Sequence, residues 1–208
     1  RSKDLLNKKI KYLINFGANI GTFCIPPIKD NLLKKCIAIE PVEKINDILK
    51  MNIKLNELNN KIETYNYVIS DKKNENLCLN LNKNNYGDNK FKTIKKSKTK
   101  FKTVKLDHFI NSFDSKKLLI KIDVQGFEHK VLMSGIKFIN KKVPLIIEFD
   151  RSFLKGENAN KILRLFKKNY NYISLIDNKN VKKEKIENIE KIFSNLKKNW
   201  RHFNCLIH

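Results

Sequence analysis

The sequence predicts an α/β fold in which a mostly parallel, Rossmann-like sheet carries helices on both faces. Short apolar runs alternate with longer stretches of helical periodicity, which is typical of βαβ units. The length of 208 residues, with 41% hydrophobic and 31% charged residues, suits one globular domain. We therefore expect a single domain over residues 1–208, with one antiparallel insertion at about 71–117.

The first part of the chain predicts three strands and two helices. The strands are expected at 11–16, 36–40 and 61–70, where apolar residues are consecutive or alternate with polar ones. A short or broken helix is expected between the first two strands, because Pro26 and Pro27 stand near its start. Pro41 opens a second helix, along which apolar residues recur at helical spacing as far as Leu55.

Residues 71–117 interrupt this order and predict an antiparallel hairpin. The segments 76–82 and 100–106 alternate apolar and polar residues, as hairpin strands with one solvent-exposed face do. The segment between them, "NKNNYGDNK", is rich in turn-forming residues. We expect these two segments to be the strands of the hairpin.

The α/β order then resumes and gives a sheet of seven strands without the insertion. Strands are expected at 118–126, 143–149, 170–176 and 201–208, and helices at 127–140 and 159–169. The Lys-, Glu- and Asn-rich stretch 178–199 predicts an exposed helix with Glu184, Glu187 and Glu190 facing water.

The formal net charge of +23 raises the question of an anionic partner. The basic residues are nearly all Lys and are scattered along the chain, and the one dense run, "KKSKTKFKTVK", alternates like the solvated face of a strand. Arg is scarce, and neither a helix-turn-helix pattern nor an aromatic RNA-binding signature is present. The sequence therefore predicts no nucleic-acid partner.

Cysteine usage and hydropathy indicate a cytoplasmic protein. The four cysteines have no metal-ligand spacing, and Cys24 and Cys36 stand in apolar surroundings typical of buried free thiols in a reducing compartment. No apolar run reaches the length of about 18 residues that a membrane-spanning helix needs. Because the chain opens on Arg1 rather than Met, we expect its natural N-terminus to lie upstream.

The stretch "INFGANIGTF" predicts a ligand-binding turn after the first strand. Gly17 and Gly21 allow the tight turn and a close approach of the backbone to a ligand. The spacing is G-x-N-x-G rather than G-x-G-x-x-G, and Asn19 occupies the place of the glycine that lets a pyrophosphate approach. A nucleoside without phosphates is therefore favoured over a dinucleotide.

Acidic residues follow the ends of the next strands. In open α/β sheets, ligands bind outside the carboxyl ends of the strands, and here Glu40, Ser70 with Asp71, Asp123 and Glu148 stand at such ends. Glu40 follows Gly17 by 23 residues, near the position from which an acid binds a ribose diol. Asp71 either reaches an adenine amino group or caps the loop that follows.

Six segments together resemble the FkbM family of S-adenosylmethionine-dependent methyltransferases. They are, in order, "FGANIGTF", "AIEPVEKINDILKMNIKLNEL", "YNYVISDKK", "TVKLDHFI", "LLIKIDVQGFEHKVLMSG" and "PLIIEF", and they cover roughly residues 11–150. The resemblance implies a seven-strand methyltransferase sheet with a reversed last strand. It also implies O-methylation, typically of a hydroxyl on a sugar or polyketide, with a surface-polysaccharide sugar as the expected acceptor.

The resemblance also implies a set of cofactor-binding residues. Gly17, Ala18, Asn19 and Gly21 would bracket the methionine part of S-adenosylmethionine, Glu40 would take the ribose hydroxyls, and Ser70 with Asp71 would lie beside the adenine. The wider expected set adds Phe16, Thr22, Asp123 and Asn15. Asn15 departs from the family pattern, which usually has an acid at this position, and this loss of charge predicts weaker cofactor binding.

Two carboxylates are the candidate catalytic residues. Asp123, at the tip of its strand, is the expected base for the acceptor hydroxyl, and its alternative role is to cap the following helix. Glu128 belongs to the family pattern "DVxGxE", although it also suits the helix dipole. Tyr86 and Asp88 in the insertion, together with Glu148, are candidate substrate contacts. No ligand set is dense enough to predict a metal.

Two alternative functions remain open. The net charge motivates a nucleic-acid methyltransferase, but "DVQG" stands where an amino-methylating N/D-P-P-Y/F motif would be expected. Asn15 motivates a relic that keeps the fold and binds the cofactor without catalysis.

Overall fold

The computed structural model describes residues 9–72, 75–80, 90–93, 101–109, 111–150, 159–176, 181–195 and 202–208. In these ranges the strands are β1 (Tyr12–Phe16), β2 (Lys35–Ile39), β3 (Ile62–Tyr65), β4 (Val68–Ile69), β5 (Leu77–Asn80), β6 (Lys90–Thr93), β7 (Thr103–Val104), β8 (Leu118–Ile122), β9 (Leu145–Asp150), β10 (Tyr172–Ile176), β11 (Val181–Lys185) and β12 (His202–Ile207). The α-helices are α1 (Ile25–Lys29), α2 (Glu43–Leu55), α3 (Glu128–Ser134), α4 (Ile136–Asn140), α5 (Ala159–Asn169) and α6 (Ile189–Asn195).

The main sheet has the strand order β11-β10-β12-β9-β8-β1-β2-β3. Strands β3, β2, β1, β8 and β9 run parallel to one another, and β12 runs antiparallel to both of its neighbours, β9 and β10. The predicted α/β class with a reversed last strand is therefore confirmed. The strand order reverses at β1, which lies between β2 and β8, and this is where doubly wound sheets bind ligands.

The apolar strands are covered on both faces, as a parallel sheet requires. One face packs against α3, α4, α5 and α6 through buried side chains such as Val131, Ile139 and Phe166. The other face packs against α1 and α2, which bury Ile28 and Leu49. The two apolar layers fix the central strands, so the turns at their carboxyl ends are held on a rigid base.

Strand register brings the predicted acids to one edge of the sheet. Phe16, the last residue of β1, is paired with Ile39 on one side and Ile122 on the other, and Ile122 is paired with Ile147. The residues that follow these positions are Gly17, Glu40, Asp123 and Glu148. Gly17, Glu40 and Asp123 thus follow strand ends side by side as expected, while Glu148 lies beside them but inside β9, paired with Asn204.

The insertion contains a hairpin whose first strand, β5, lies where one was expected, but its second strand is not the expected 100–106. β5 pairs antiparallel with β6, while β7 pairs in parallel with β4 in a separate two-stranded sheet. The expected strand 61–70 is accordingly divided into β3 and β4, because β4 leaves the main sheet to pair with β7. Asn66, in the break, donates its side-chain amide to the Glu40 carbonyl.

Two further elements differ from the sequence-based expectation. The expected exposed helix at 178–199 begins instead with β11, an eighth strand that pairs antiparallel with β10, because the edge of β10 offers unpaired backbone groups whatever the side chains opposite. Within the described residues 181–195, a short 3-10 helix (Ile186–Asn188) and α6 follow β11. Glu187 and Glu190 are exposed as expected, whereas Glu184 lies on β11 and is partly buried. The expected helix at 127–140 is divided at Gly135 into α3 and α4.

Candidate active site

The turn after β1 has the backbone shape that its glycines allow. Gly17 and Gly21 have φ of +73° and +99°, and Asn19 between them has φ of +50°. A Cβ atom at Gly17 would overlap the carbonyl oxygen of Asp123. The amides of Gly17 and Ala18 both donate to the Ile39 carbonyl oxygen at 3.0 Å, which ties the turn to the end of β2.

Glu40 connects this turn to the start of α2. Its Oε2 accepts a hydrogen bond from the Asn19 amide at 2.9 Å, and its Oε1 accepts one from the Val42 amide at 3.0 Å. Glu40 is 6% exposed, and burial raises the pKa of its carboxyl, while these two amide donors act in the opposite direction. Each carboxylate oxygen keeps a further lone pair, so the two together can accept a pair of ligand hydroxyl groups.

Asp123 lies beside Gly17 and is held by two side chains. Its amide donates to the Phe16 carbonyl at 3.1 Å, its Oδ2 accepts from Lys121 Nζ at 2.7 Å, and its Oδ1 accepts from Gln125 Nε2 at 2.9 Å. Burial alone would raise the pKa of Asp123, but hydrogen bonding with Glu148 and the positive charge of Lys121 outweigh it and lower the pKa.

Glu148 is the neighbour of Asp123 in this cluster. Its Oε2 accepts the second hydrogen bond of the Gln125 amide, at 3.1 Å. Burial and the adjacent Asp123 carboxylate raise the pKa of Glu148 to about 8. At neutral pH the two carboxyl groups therefore hold one proton between them, mainly on Glu148.

Glu128 fastens the loop between β8 and α3. It is 3% exposed, and its Oε1 accepts hydrogen bonds from the Gly126 amide at 3.0 Å and the Val124 amide at 3.4 Å. Burial raises the pKa of Glu128 to about 7. Its contacts are with this backbone, so it positions Asp123 and Gln125 rather than facing the open side of the site.

A cavity opens between the glycine turn and the ends of β2, β4 and β8. Of the predicted site residues, its lining includes Phe16, Gly17, Ala18, Asn19, Thr22, Glu40 and Asp123. Apolar walls come from Ile39, Ile45, Val68, Ile69 and Phe127. Apolar walls with a small number of polar groups at the rim are typical of a small-molecule binding site.

Of the other predicted residues, Gly21, Ser70, Asp71, Glu128 and Glu148 are described and are not part of this lining. Gly21 supports the turn from behind, where a Cβ would lie 2.5 Å from Ile25 Cδ1, and Ser70 donates to Glu75 Oε2 at 2.6 Å. Asp71 accepts a hydrogen bond of 3.4 Å from Ser70. Tyr86 and Asp88 lie outside the described residues.

Asn15 lies under the turn and is fully buried. Within the described residues neither its Nδ2 nor its Oδ1 has a hydrogen-bond partner. Cys36 and this amide lie close enough to the Cys24 thiol to lower the pKa of that thiol, and both amide atoms keep capacity for a further polar partner.

Sequence reasoning missed the apolar walls of the cavity and several further residues of its lining. Lys121, Gln125, Phe23 and Tyr67 line the cavity, and Lys121 Nζ stands 5.0 Å from the centre of the Phe23 ring. The signal for Lys121 was present, because a lysine inside the apolar strand "LLIKI" requires a buried partner. The other three had no comparable signal.

The described residues hold no group of three or more His, Cys, Asp or Glu side chains placed to bind a metal ion. Among the helices of the described ranges, none combines the length and apolar character needed to cross a bilayer. All four cysteines are free thiols, and Cys24 and Cys36 are buried, as expected.

The mostly parallel sheet, in which β11 and β12 run opposite to the other strands, and the glycine turn facing an acid at the next strand end are typical of Rossmann-like methyltransferases. Residues 15–174 match the family model described as the methyltransferase FkbM domain, and the chain belongs to this family. A search of curated proteins finds no match.

Solved structures agree with this fold. The FkbM methyltransferase from Methylobacillus flagellatus KT matches with a TM-score of 0.56 and 17% identity, over 96% of this chain and 44% of that chain. The chain thus spans less than half of that relative. A putative tRNA methyltransferase from Streptococcus pneumoniae, in complex with S-adenosyl-L-methionine, matches with a TM-score of 0.50 and 12% identity, over 99% of this chain and 70% of that chain.

Proposed function

We propose that this protein is an S-adenosylmethionine-dependent O-methyltransferase acting on a hydroxyl of a small molecule or glycan, with a sugar of a surface polysaccharide as the expected acceptor. The observation that carries the proposal is the Glu40 carboxylate, fixed at the cavity by the amides of Asn19 and Val42. That arrangement suits the ribose diol of a nucleoside cofactor.

The rest of the cavity suits the remaining parts of S-adenosylmethionine. Gly17, Ala18 and Asn19 of the turn line the cavity and are placed to hold the methionine part, and the buried amide of Asn15 lies just before the turn in the chain. Ile69 and Phe127 offer apolar surface for the adenine. When bound, the cofactor supplies an activated methyl carbon.

The protein's own contribution to transfer is alignment and proton removal. Holding an acceptor oxygen in line with the methyl carbon supplies several kcal/mol by general effective-molarity arguments. A positioned carboxylate adds about 10²–10⁴-fold in rate. The carboxyl groups at the ends of β8 and β9 are the candidates for this second role.

Isothermal titration of the full-length protein with S-adenosylhomocysteine tests cofactor binding. Wild-type protein should release or absorb heat on binding, and Glu40→Gln should weaken the affinity at least ten-fold, because Gln cannot accept from both amides and bind two hydroxyls with equal strength. Glu43→Gln, an exposed position on α2, is the matched control and should bind like wild type. Absence of binding by folded wild-type protein would reject the proposal.

Transfer is tested with labelled S-adenosylmethionine and a panel of methyl glycosides and polysaccharide fractions. The same assay with tRNA at physiological salt tests the nucleic-acid alternative, which the net charge of +23 favours. Cofactor binding with no transfer to either class would favour the non-catalytic alternative.

A further inference from the structure

The carboxyl groups of Asp123 and Glu148 form a pair that one side chain bridges. The Gln125 amide nitrogen donates one proton to Asp123 Oδ1 at 2.9 Å and the other to Glu148 Oε2 at 3.1 Å. Gln125 stands in the left-handed region with φ of +51°, on a loop that Glu128 fastens from below. A non-glycine residue held in this conformation indicates that the placement of its side chain matters.

Asp123 is poorly suited to accept a proton by itself. Both of its oxygens are engaged, one with Lys121 Nζ and the other with Gln125. Lys121 is itself buried, with its side chain 9% exposed, so this ion pair is only weakly screened by water. The pair keeps Asp123 ionised and makes it a weak base.

Glu148 is better suited than Asp123 to accept a proton. Its Oε2 accepts a hydrogen bond from Gln125 and its carboxyl group is hydrogen-bonded with Asp123, whereas the Lys121 cation pairs with Asp123. Partial burial and the adjacent negative charge of Asp123 make its carboxylate more basic, with a pKa of about 8. A basic carboxylate hydrogen-bonded to two residues that line the cavity suits proton removal from a hydroxyl bound there.

We propose that Glu148 is the catalytic base, and that Asp123 and Gln125 are positioning residues that orient it. This inference rests on the proposed function. As the acceptor oxygen forms its bond to the methyl carbon, the electron pair of the breaking carbon–sulfur bond stays on sulfur. The hydroxyl proton moves to the Glu148 carboxylate and from there to solvent, so charge and atoms balance.

The position of Glu148 next to the reacting methyl group can be tested without an acceptor. The carboxyl carbons of the full-length protein, labelled with ¹³C-glutamate, are followed by NMR from pH 5 to 10, and Glu148→Gln assigns the signal. The free protein should show a Glu148 carboxyl that titrates near pH 8. Glu187→Gln, an exposed position, should leave that signal in place.

The same titration in the two cofactor complexes locates the residue. S-adenosylmethionine carries a positive sulfonium that S-adenosylhomocysteine lacks, so a carboxyl beside the reacting centre should lose its proton at least ten-fold more readily in the first complex, as an opposite charge within about 4–6 Å lowers a pKa by 1–3. An equal pKa in the two complexes, or a Glu148 that titrates below pH 6 in the free protein, overturns the proposal.

Transfer kinetics supply the catalytic readout. With a methyl glycoside that the wild type methylates, Glu148→Gln should lower kcat about 10²-fold or more while leaving S-adenosylhomocysteine affinity within two-fold, and it should abolish the rise of rate toward pH 8. A Glu148→Gln protein with full turnover overturns the assignment. Failure of wild-type protein to bind either cofactor would reject the proposed function instead. The titration of the free protein would still show whether the Glu148 carboxyl titrates near pH 8.

Discussion

The substitution Gly17→Ala tests whether the glycine turn packs directly against the backbone of Asp123 at the end of β8. A Cβ at this position would overlap the Asp123 carbonyl oxygen and stand 2.9 Å from the carbonyl carbon. These are backbone atoms, which cannot rotate away as a side chain does. β1 and β8 would have to separate, which strains the hydrogen bond from the Asp123 amide to the Phe16 carbonyl.

The cost has two parts. Placing Ala at φ of +73° costs about 1–2 kcal/mol. The overlap and the stretched hydrogen bonds around it add about 2 kcal/mol or more. We expect Gly17→Ala to lower the free energy of unfolding by about 3–4 kcal/mol in total.

Gly126→Ala is the matched control. Gly126 also has positive φ, +100°, but a Cβ there would meet no atom within 4 Å. Only the conformational part applies, and we expect a loss of about 1–2 kcal/mol. Urea unfolding followed by far-ultraviolet circular dichroism measures both variants, and equal losses would refute the contact between the turn and Asp123.

Three further predictions concern charge in the site. The raised pKa of Glu148 means that the folded state holds its proton more tightly than the unfolded state, so this residue lowers the free energy of unfolding progressively as pH rises from about 4.5 to 8. The melting temperature of Glu148→Gln minus that of wild type should therefore increase from pH 5 to pH 8.5. A constant difference would contradict the shift. Lys121→Met should cost about 2 kcal/mol or more in urea unfolding because it leaves the Asp123 carboxylate without its cation, and the double variant with Asp123→Asn should recover most of the loss; no recovery would mean that the lysine acts through packing alone. Asn15→Asp should strengthen S-adenosylhomocysteine binding by up to about ten-fold in calorimetry, as expected for one charge-assisted hydrogen bond to the cofactor's amino group; weaker binding would contradict this role.

The fold was predictable where burial alone decides the structure. β1, β2, β8 and β9 are continuous apolar runs, and a run of that kind in an α/β pattern has little alternative to a buried parallel strand. The error at 178–199 has a different origin. "VKKEK" has no apolar pattern, and its strand conformation comes from backbone pairing with β10, which no local sequence signal records.

The strand pairing predicted for the insertion was wrong for a related reason. Apolar and polar residues alternate in both 76–82 and 100–106, as they do in strands. This alternation indicates which face of a strand is exposed to solvent, but not which other strand it pairs with. The structure pairs the first of them with Lys90–Thr93 and directs Thr103–Val104 to β4. Partner choice depends on contacts between segments distant in sequence, so a strand pattern in a single chain leaves it open.

The positions of the site residues were predictable from the sequence, but their environments were not. This is why the sequence favoured Asp123 as the base, whereas the structure leads us to propose Glu148. Glu40, Asp123 and Glu148 were predictable as strand-end acids, because topology brings the carboxyl ends of parallel strands together. Their different environments were not, because these depend on hydrogen-bond partners that the sequence does not rank. Backbone amides of Asn19 and Val42 hold Glu40. Lys121 pairs with Asp123, Gln125 bridges Asp123 and Glu148, and the pKa of Glu148 is raised. Exchanging the partners, rather than the acids, is therefore the change that would move basicity from Glu148 back to Asp123.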